Sequence, residues 1–314
     1  MPSNKVRDAF IGLAVGDAIG VPHEFRPRHE LERSPVVGMD GWGTWNRKPG
    51  TWSDDASLSF CLAESLCDGY DLHDLARKFI AWRDQGYWSA DGSPFSIGRS
   101  TEAAIAKLRA ASDHPASAGL RRDQDNGNGS LMRILPAAFY VRGRPADERA
   151  WIVAELSSLT HGHRRAQLAC IVYVEFALGL LNGRTPEEAY RIAVVELSAR
   201  FAGEAELVHF ERLLSGKLER VARKDIVSSG YVVDSLEASI WCLLTTADYR
   251  AAVLSAVNRG GDADTVGSLT GGLAGLAYGA DSVPPEWVAS LVRLDDILDL
   301  ADRFAARTGY AVSA

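Results

Sequence analysis

The sequence predicts an all-α protein, a single domain over residues 1–314, and three observations carry that prediction. Alternating apolar and polar stretches, the mark of half-buried strands, are scarce. The longest apolar segments are rich in alanine and leucine and repeat at helical spacing, as Leu58, Leu62 and Leu66 do. Glycines recur four apart twice, at Gly12, Gly16 and Gly20 and again at Gly267, Gly271, Gly275 and Gly279. That spacing puts each set on one helix face, where missing side chains let a second helix approach closely. A glycine inside a helix costs about 1 kcal/mol against alanine, so two such stripes call for a compensating contact. The two helices are therefore expected to cross, at the low end of the usual axial distance of about 8–10 Å.

Taken in order, the first helix spans 5–19, and Pro22 and Glu24 follow as the chain leaves it. A loop rich in Gly, Pro and Trp runs from 26 to 52. Ser53, Asp54 and Asp55 open a helix over 56–67, and a second follows from 71 or 72 to 84. A loop over 86–98 leads to a helix at 100–110, then to a polar, irregular stretch over 112–130. Further helices are expected at 131–140, 147–159, 164–181, 186–200, 204–222, 232–246, 248–258 and 285–305, with the late glycine helix before the last. No linker-like shift in composition divides the chain.

Composition narrows the function classes. Hydrophobic residues at 46% and charged residues at 24% are ordinary for a globular protein, and 314 residues can bury a large core. A net charge of −7 with no basic run argues against general nucleic-acid binding. The start lacks the apolar core of a signal peptide, and too few large apolar residues follow Thr265 for a membrane span. Cys61, Cys67, Cys170 and Cys242 have neither metal spacing nor disulfide density; they read as buried and reduced, which places the protein in the cytoplasm.

Two clusters carry the chemistry. Asp262, Asp264 and Thr265 follow a Gly-Gly pair, and Ser53, Asp54 and Asp55 repeat the same combination of two carboxylates and a hydroxyl at a helix start. Either alone is a routine helix N-terminus, with acids placed against the dipole. An EF-hand fits the late cluster poorly, because Val266 fills a ligand position and Leu273 stands where the closing glutamate would be. Together the clusters point to a metal site, since hard oxygen donors suit Mg²⁺ or Mn²⁺ and four carboxylates repel unless cations neutralise them. Two ions about 3.5–4 Å apart are the sensible occupants if the clusters converge. Asn128, Gly129 and Ser130 lead towards an expected helix and offer either a phosphate cradle or an ordinary turn. His161 and His163 read as metal ligands or as structural histidines, and Tyr231 as core or as a surface for stacking a base.

The set Gly12-x3-Gly16-Asp17-x2-Gly20-x-Pro22-x-Glu24, Trp52-Ser53-Asp54-Asp55, Phe95-x-Ile97-Gly98, Asn128-Gly129-x2-Met132-Arg133, Thr160-His161 and Gly261-Asp262-x-Asp264-Thr265 resembles the ADP-ribosylglycohydrolases. The motifs fall in that family's order and span residues 8–280. The resemblance implies an all-helical fold, a centre of two Mg²⁺ or Mn²⁺ ions, and hydrolysis of the bond joining ADP-ribose to a modified protein side chain, arginine in the best-known cases. Carried over, the metal ligands are Ser53, Asp54, Asp55, Asp262, Asp264 and Thr265. Glu24, Asp55 and Asp264 take the catalytic roles. Ser96, Gly98, Asn128, Gly129, Ser130, Met132, His161 and Tyr231 contact the ADP-ribose. Ser53 replaces the family's usual threonine and keeps its hydroxyl, whereas Ala56 and Ala263 replace frequent threonines. Ser96 stands where many arginine-directed members carry an aspartate. Two other readings keep the same pocket: an ADP-ribose-binding protein with impaired catalysis, and a two-metal phosphohydrolase that splits ADP-ribose into AMP and ribose phosphate.

Overall fold

The computed structural model describes residues 4–110 and 113–310; residue 112, the first of the polar stretch, lies outside them. The α-helices are, in order, α1 (Lys5–Gly20), α2 (Arg28–Arg33), α3 (Asp54–Asp68), α4 (Leu72–Gln85), α5 (Arg99–Arg109), α6 (Leu135–Val141), α7 (Ala146–Ser158), α8 (Arg164–Leu181), α9 (Pro186–Arg200), α10 (Glu211–Leu214), α11 (Val232–Leu244), α12 (Tyr249–Val257), α13 (Ala263–Tyr278), α14 (Pro285–Ser290) and α15 (Leu294–Thr308). Among the described residues the only strand-like pairings are isolated bridges. No helix there is long and apolar enough to cross a membrane.

The glycine stripes do meet. A methyl group on Gly12 would overlap the carbonyl of Gly271, one on Gly16 the carbonyl of Gly267, and one on Gly20 the backbone of Asp264. Residue numbers rise along one helix as they fall along the other, so α1 and α13 run antiparallel with their backbones in contact. Tyr249 donates to the Gly12 carbonyl at 2.7 Å and Tyr173 to the Leu269 carbonyl at 2.9 Å, bracing the pair from outside. Around this axis α3, α8, α11, α12 and α15 pack as a shell. At one end of the pair, Phe10 stacks on Phe304 at 5.9 Å and meets Phe60 and Phe139 edge-on or tilted. The important consequence is at the other end. The C-terminus of α1 and the N-terminus of α13 are pinned side by side, which brings residues 17–24 against residues 262–265.

Some expected element boundaries need correction. The loop over 26–52 contains the short helix α2. The helix expected over 204–222 breaks into 3-10 turns and α10, and left-handed Gly216 at φ 69° ends it after Leu214. The helix over 285–305 is two, α14 and α15, since Leu291 is extended and Arg293 sits at φ 54° while Val292 donates to the Gly50 carbonyl at 3.1 Å. The cysteines are free, and all are buried except Cys67, which is half-buried.

Candidate active site

The two acidic clusters converge because each helix start is clamped by another part of the chain. Asp17, in the last turn of α1, accepts from the Ser53 N–H at 3.0 and 3.1 Å and from the Ala56 N–H at 2.9 Å. It holds the first turn of α3 as a capping side chain would, but from a different helix. Gly260 and Gly261 then approach α13 at φ 66° and 64°, and a side chain on Gly261 would run into the Ser228 carbonyl. Asp262 occupies the N-cap position of α13 without capping it; its carboxylate accepts from Asn128 Nδ2 at 2.8 Å instead. Thr265 Oγ1 donates to Asp55 Oδ2 at 3.3 Å, a direct link between the clusters, and Ser53 Oγ donates to the same oxygen at 3.1 Å. Glu24, Asp262 and Asp264 each bring a carboxylate oxygen within 4.8 Å of the others.

Electrostatically this is a costly arrangement. Asp17, Glu24, Asp54, Asp55 and Asp264 are buried, and none forms an ion pair among the described residues. Burial, reinforced by neighbouring carboxylates, pushes Asp17 and Glu24 up to about 7 and lifts Asp54, Asp55 and Asp264 well above the usual carboxylate range. Asp55 Oδ1 and Asp264 Oδ2 are buried with no hydrogen-bond partner. Unsatisfied hard oxygens among mutually repelling carboxylates are the donor set that a Mg²⁺- or Mn²⁺-sized cation satisfies. The residues present therefore fit the divalent ions that the resemblance implies.

Above this floor opens a cleft of about 680 Å³. Glu24, Asp54, Asp262 and Thr265 face it, while Ser53, Asp55 and Asp264 lie beneath its lining. Asn128 N–H donates to the Gly230 carbonyl and Val232 N–H to the Asn126 carbonyl, both at 3.1 Å, tying two loops into one wall. Gly129 lies on that wall, where a methyl group would come within 2.8 Å of the His161 ring and 2.9 Å of Thr101 Oγ1. His161 is buried within the wall and lines the cleft, contacts Thr160 Oγ1 at 2.8 Å, and is held neutral because burial pushes it down to about 3. Tyr231 lines the far side with the Arg165 guanidinium 5.8 Å from its ring, and Arg165 is itself fixed by Asp123 and Glu206 at 2.7 and 2.8 Å. Gly98 and Met132 line the cleft as well.

Ser96 also lines the cleft, in a left-handed conformation at φ 58°. Its hydroxyl donates to the Glu24 carboxylate, 2.9 Å from one oxygen and 3.0 Å from the other. Trp45 Nε1–H donates to Glu24 Oε2.

Ser130 does not belong with the others. It is fully buried, accepts from Ser157 Oγ at 2.9 Å and contacts Cys170 Sγ at 3.5 Å, so it supports the wall from the core side. Nor does a helix begin at 131: residues 129–133 form turns, and Arg133 turns inward to the carbonyls of Gly129 and Leu156 before α6 starts at Leu135. His163 caps α8 by accepting from the Arg165 N–H at 3.2 Å, away from His161's role. Trp45, Phe25, Arg99, Asp123 and Gln124 line the cleft without having stood out in the sequence. Phe25 and Trp45 sit in loops, Asp123 and Gln124 in a 3-10 turn and Arg99 at the first residue of α5, places where no periodicity marks which side chain turns inward. Asp17 carried a signal, its place beside Gly16 in the first glycine stripe, but no hint of its partner.

Comparison with known proteins gives a consistent result. A family model described as ADP-ribosylglycohydrolase matches residues 2–312. An ADP-ribosylarginine hydrolase, Tri1, of Serratia proteamaculans is 33% identical over 304 residues, 96% of this chain and 78% of that protein. The ADP-ribosyl-[dinitrogen reductase] glycohydrolase of Rhodospirillum rubrum is 32% identical, over 92% of this chain and 90% of that one. A solved structure titled ADP-ribosylglycohydrolase-related protein complex superposes with a TM-score of 0.82 at 29% identity, covering 98% of this chain and all of the other.

Proposed function

This chain belongs to the ADP-ribosylglycohydrolase family, enzymes that hydrolyse ADP-ribose linkages, and on that premise we propose that it removes ADP-ribose from modified arginine side chains of a protein, with two Mg²⁺ or Mn²⁺ ions as cofactors. The observation that carries the reading is the convergence of both acidic clusters on the floor of one cleft, with Glu24 at its edge. Relatives named as ADP-ribosylarginine hydrolases support arginine as the linkage. Ser53, Asp54, Asp55, Asp262, Asp264 and Thr265 would hold the cations. Bound divalent ions supply charge stabilisation and a more acidic water.

The chain's own residues do the rest. Asn126, Gly127, Asn128, Gly129 and Tyr231 form the wall along which the nucleotide lies. Neutral His161 in that wall adds no charge, and its ring leaves no room for a side chain at position 129, so Gly129 presents bare backbone to the ligand. Glu24, oriented by Trp45 and Ser96, takes a proton from the water that attacks the anomeric carbon. As the C–N bond breaks its electron pair passes to the departing guanidine nitrogen, which the same proton then satisfies. The serine in place of an aspartate thus orients a carboxylate rather than supplying one. That favours turnover over the impaired-binder reading. We place the protein in the cytoplasm, where its free thiols stay reduced.

The test is the identity of the products from defined ADP-ribosylated peptides incubated with Mg²⁺ or Mn²⁺ and followed by mass spectrometry. Free ADP-ribose and unmodified arginine peptide are expected. Release of AMP would indicate phosphohydrolysis, binding without release an inactive pocket, and preference for serine-linked peptide a different linkage.

A further inference from the structure

Folding alone does not explain Phe25. It is 65% exposed, the ring lines the cleft, and the backbone is held at φ 64°, a conformation costly for a bulky side chain. That strain is over-determined: Phe25 N–H donates to the Gly261 carbonyl at 2.6 Å, and Gly261 N–H returns to the Arg26 carbonyl at 2.9 Å. The Phe25 backbone therefore stands fixed relative to the Gly261–Asp262 turn. Beside it, Trp45 lies 6.3 Å away in a tilted pair, with Phe95 beyond it at 5.6 Å. An exposed, strained aromatic residue follows Glu24 and lines the same cleft as Asp54 and Asp262, on the side where the chemistry proposed above places the group leaving the ribose.

We propose that Phe25 is a specificity-determining residue whose ring stacks on the planar, cationic guanidinium of the ADP-ribosylated arginine. This inference rests on the arginine-linked reading above. The chemistry is matched, because a guanidinium is flat, weakly hydrated and attracted to an aromatic face. A neutral serine side chain gains nothing from such stacking, so the ring discriminates by linkage.

The experiment compares Phe25→Leu and Phe25→Trp with wild type in Mg²⁺, measuring turnover of an arginine-linked ADP-ribosyl peptide and calorimetric affinity for free ADP-ribose. Phe25→Leu is expected to raise KM by about threefold or more, a cation–π contribution at an accessible site. The loss falls in KM rather than kcat, affinity for free ADP-ribose holds, and Phe25→Trp restores KM. An unchanged KM in Phe25→Leu overturns the proposal, as does an equal loss of ADP-ribose affinity, which would make the ring part of the pocket's shape. Failure of wild type to release ADP-ribose from the arginine-linked peptide would instead overturn the functional reading beneath it.

Discussion

At the scale of single residues, Glu24 and Ser96 divide the work that an aspartate at position 96 would share. The Ser96 hydroxyl donates to the Glu24 carboxylate and so orients the group that acts as the base, without being a base itself. Glu24→Gln should therefore lower turnover by at least about 100-fold, the smaller end of what a positioned acid–base group contributes. Ser96→Ala should lower it by less than about tenfold, under about 1.4 kcal/mol in the barrier. Steady-state rates on the arginine-linked peptide check both, and a larger loss in Ser96→Ala would reverse the roles. Much of this was legible in the sequence, where Glu24 and Ser96 already stood out by their motifs. What no motif could give was Trp45, whose bond to Glu24 depends on how the loop from 40 to 47 folds back over Pro22. Ser130 shows the converse, since its neighbours in sequence face the cleft and its own hydroxyl turns to the core.

Among the elements, the α1–α13 pair sets everything else. Its glycines were readable because a stripe four apart has few other uses, and the antiparallel contact follows from it. The carbonyls it packs are backbone and cannot move aside as a flexible side chain would. Gly271→Leu should therefore destabilise the fold by about 3 kcal/mol, the upper end of overpacking. Thermal or urea denaturation measures this, and a mutant that unfolds like wild type would mean the backbones are not in contact. Where the sequence misled, tertiary contacts overrode periodicity. Residues 285–305 carry a continuous helical pattern, yet the Val292 N–H is taken by Gly50 and the helix divides there. The segment 204–222 is interrupted locally after Leu214, where Gly216 is left-handed.

For the molecule as a whole, the acidic floor couples stability to protons and cations. Carboxyl groups raised in the folded state bind protons that the unfolded chain has already released. Stability of the cation-free protein must then fall as pH rises from the ordinary carboxylate range through about 7. A melting temperature that drops between about pH 5 and pH 7.5 in EDTA, and recovers at the higher pH on adding Mg²⁺, is the expected outcome. A flat profile unaffected by Mg²⁺ would show that the carboxylates find another way to share their charge. The most direct test of the central claim, that the two clusters form one cation-dependent hydrolytic centre, is a metal titration. EDTA-treated wild type and Asp264→Asn are titrated with Mg²⁺ or Mn²⁺ while release of ADP-ribose from an arginine-linked peptide is followed. Wild type should be inactive until metal is added, and Asp264→Asn should need at least about 10–100-fold more metal, the loss seen even when only a ligand's supporting contact is removed. Full release in EDTA, or an Asp264→Asn curve that overlays the wild type, would contradict the account.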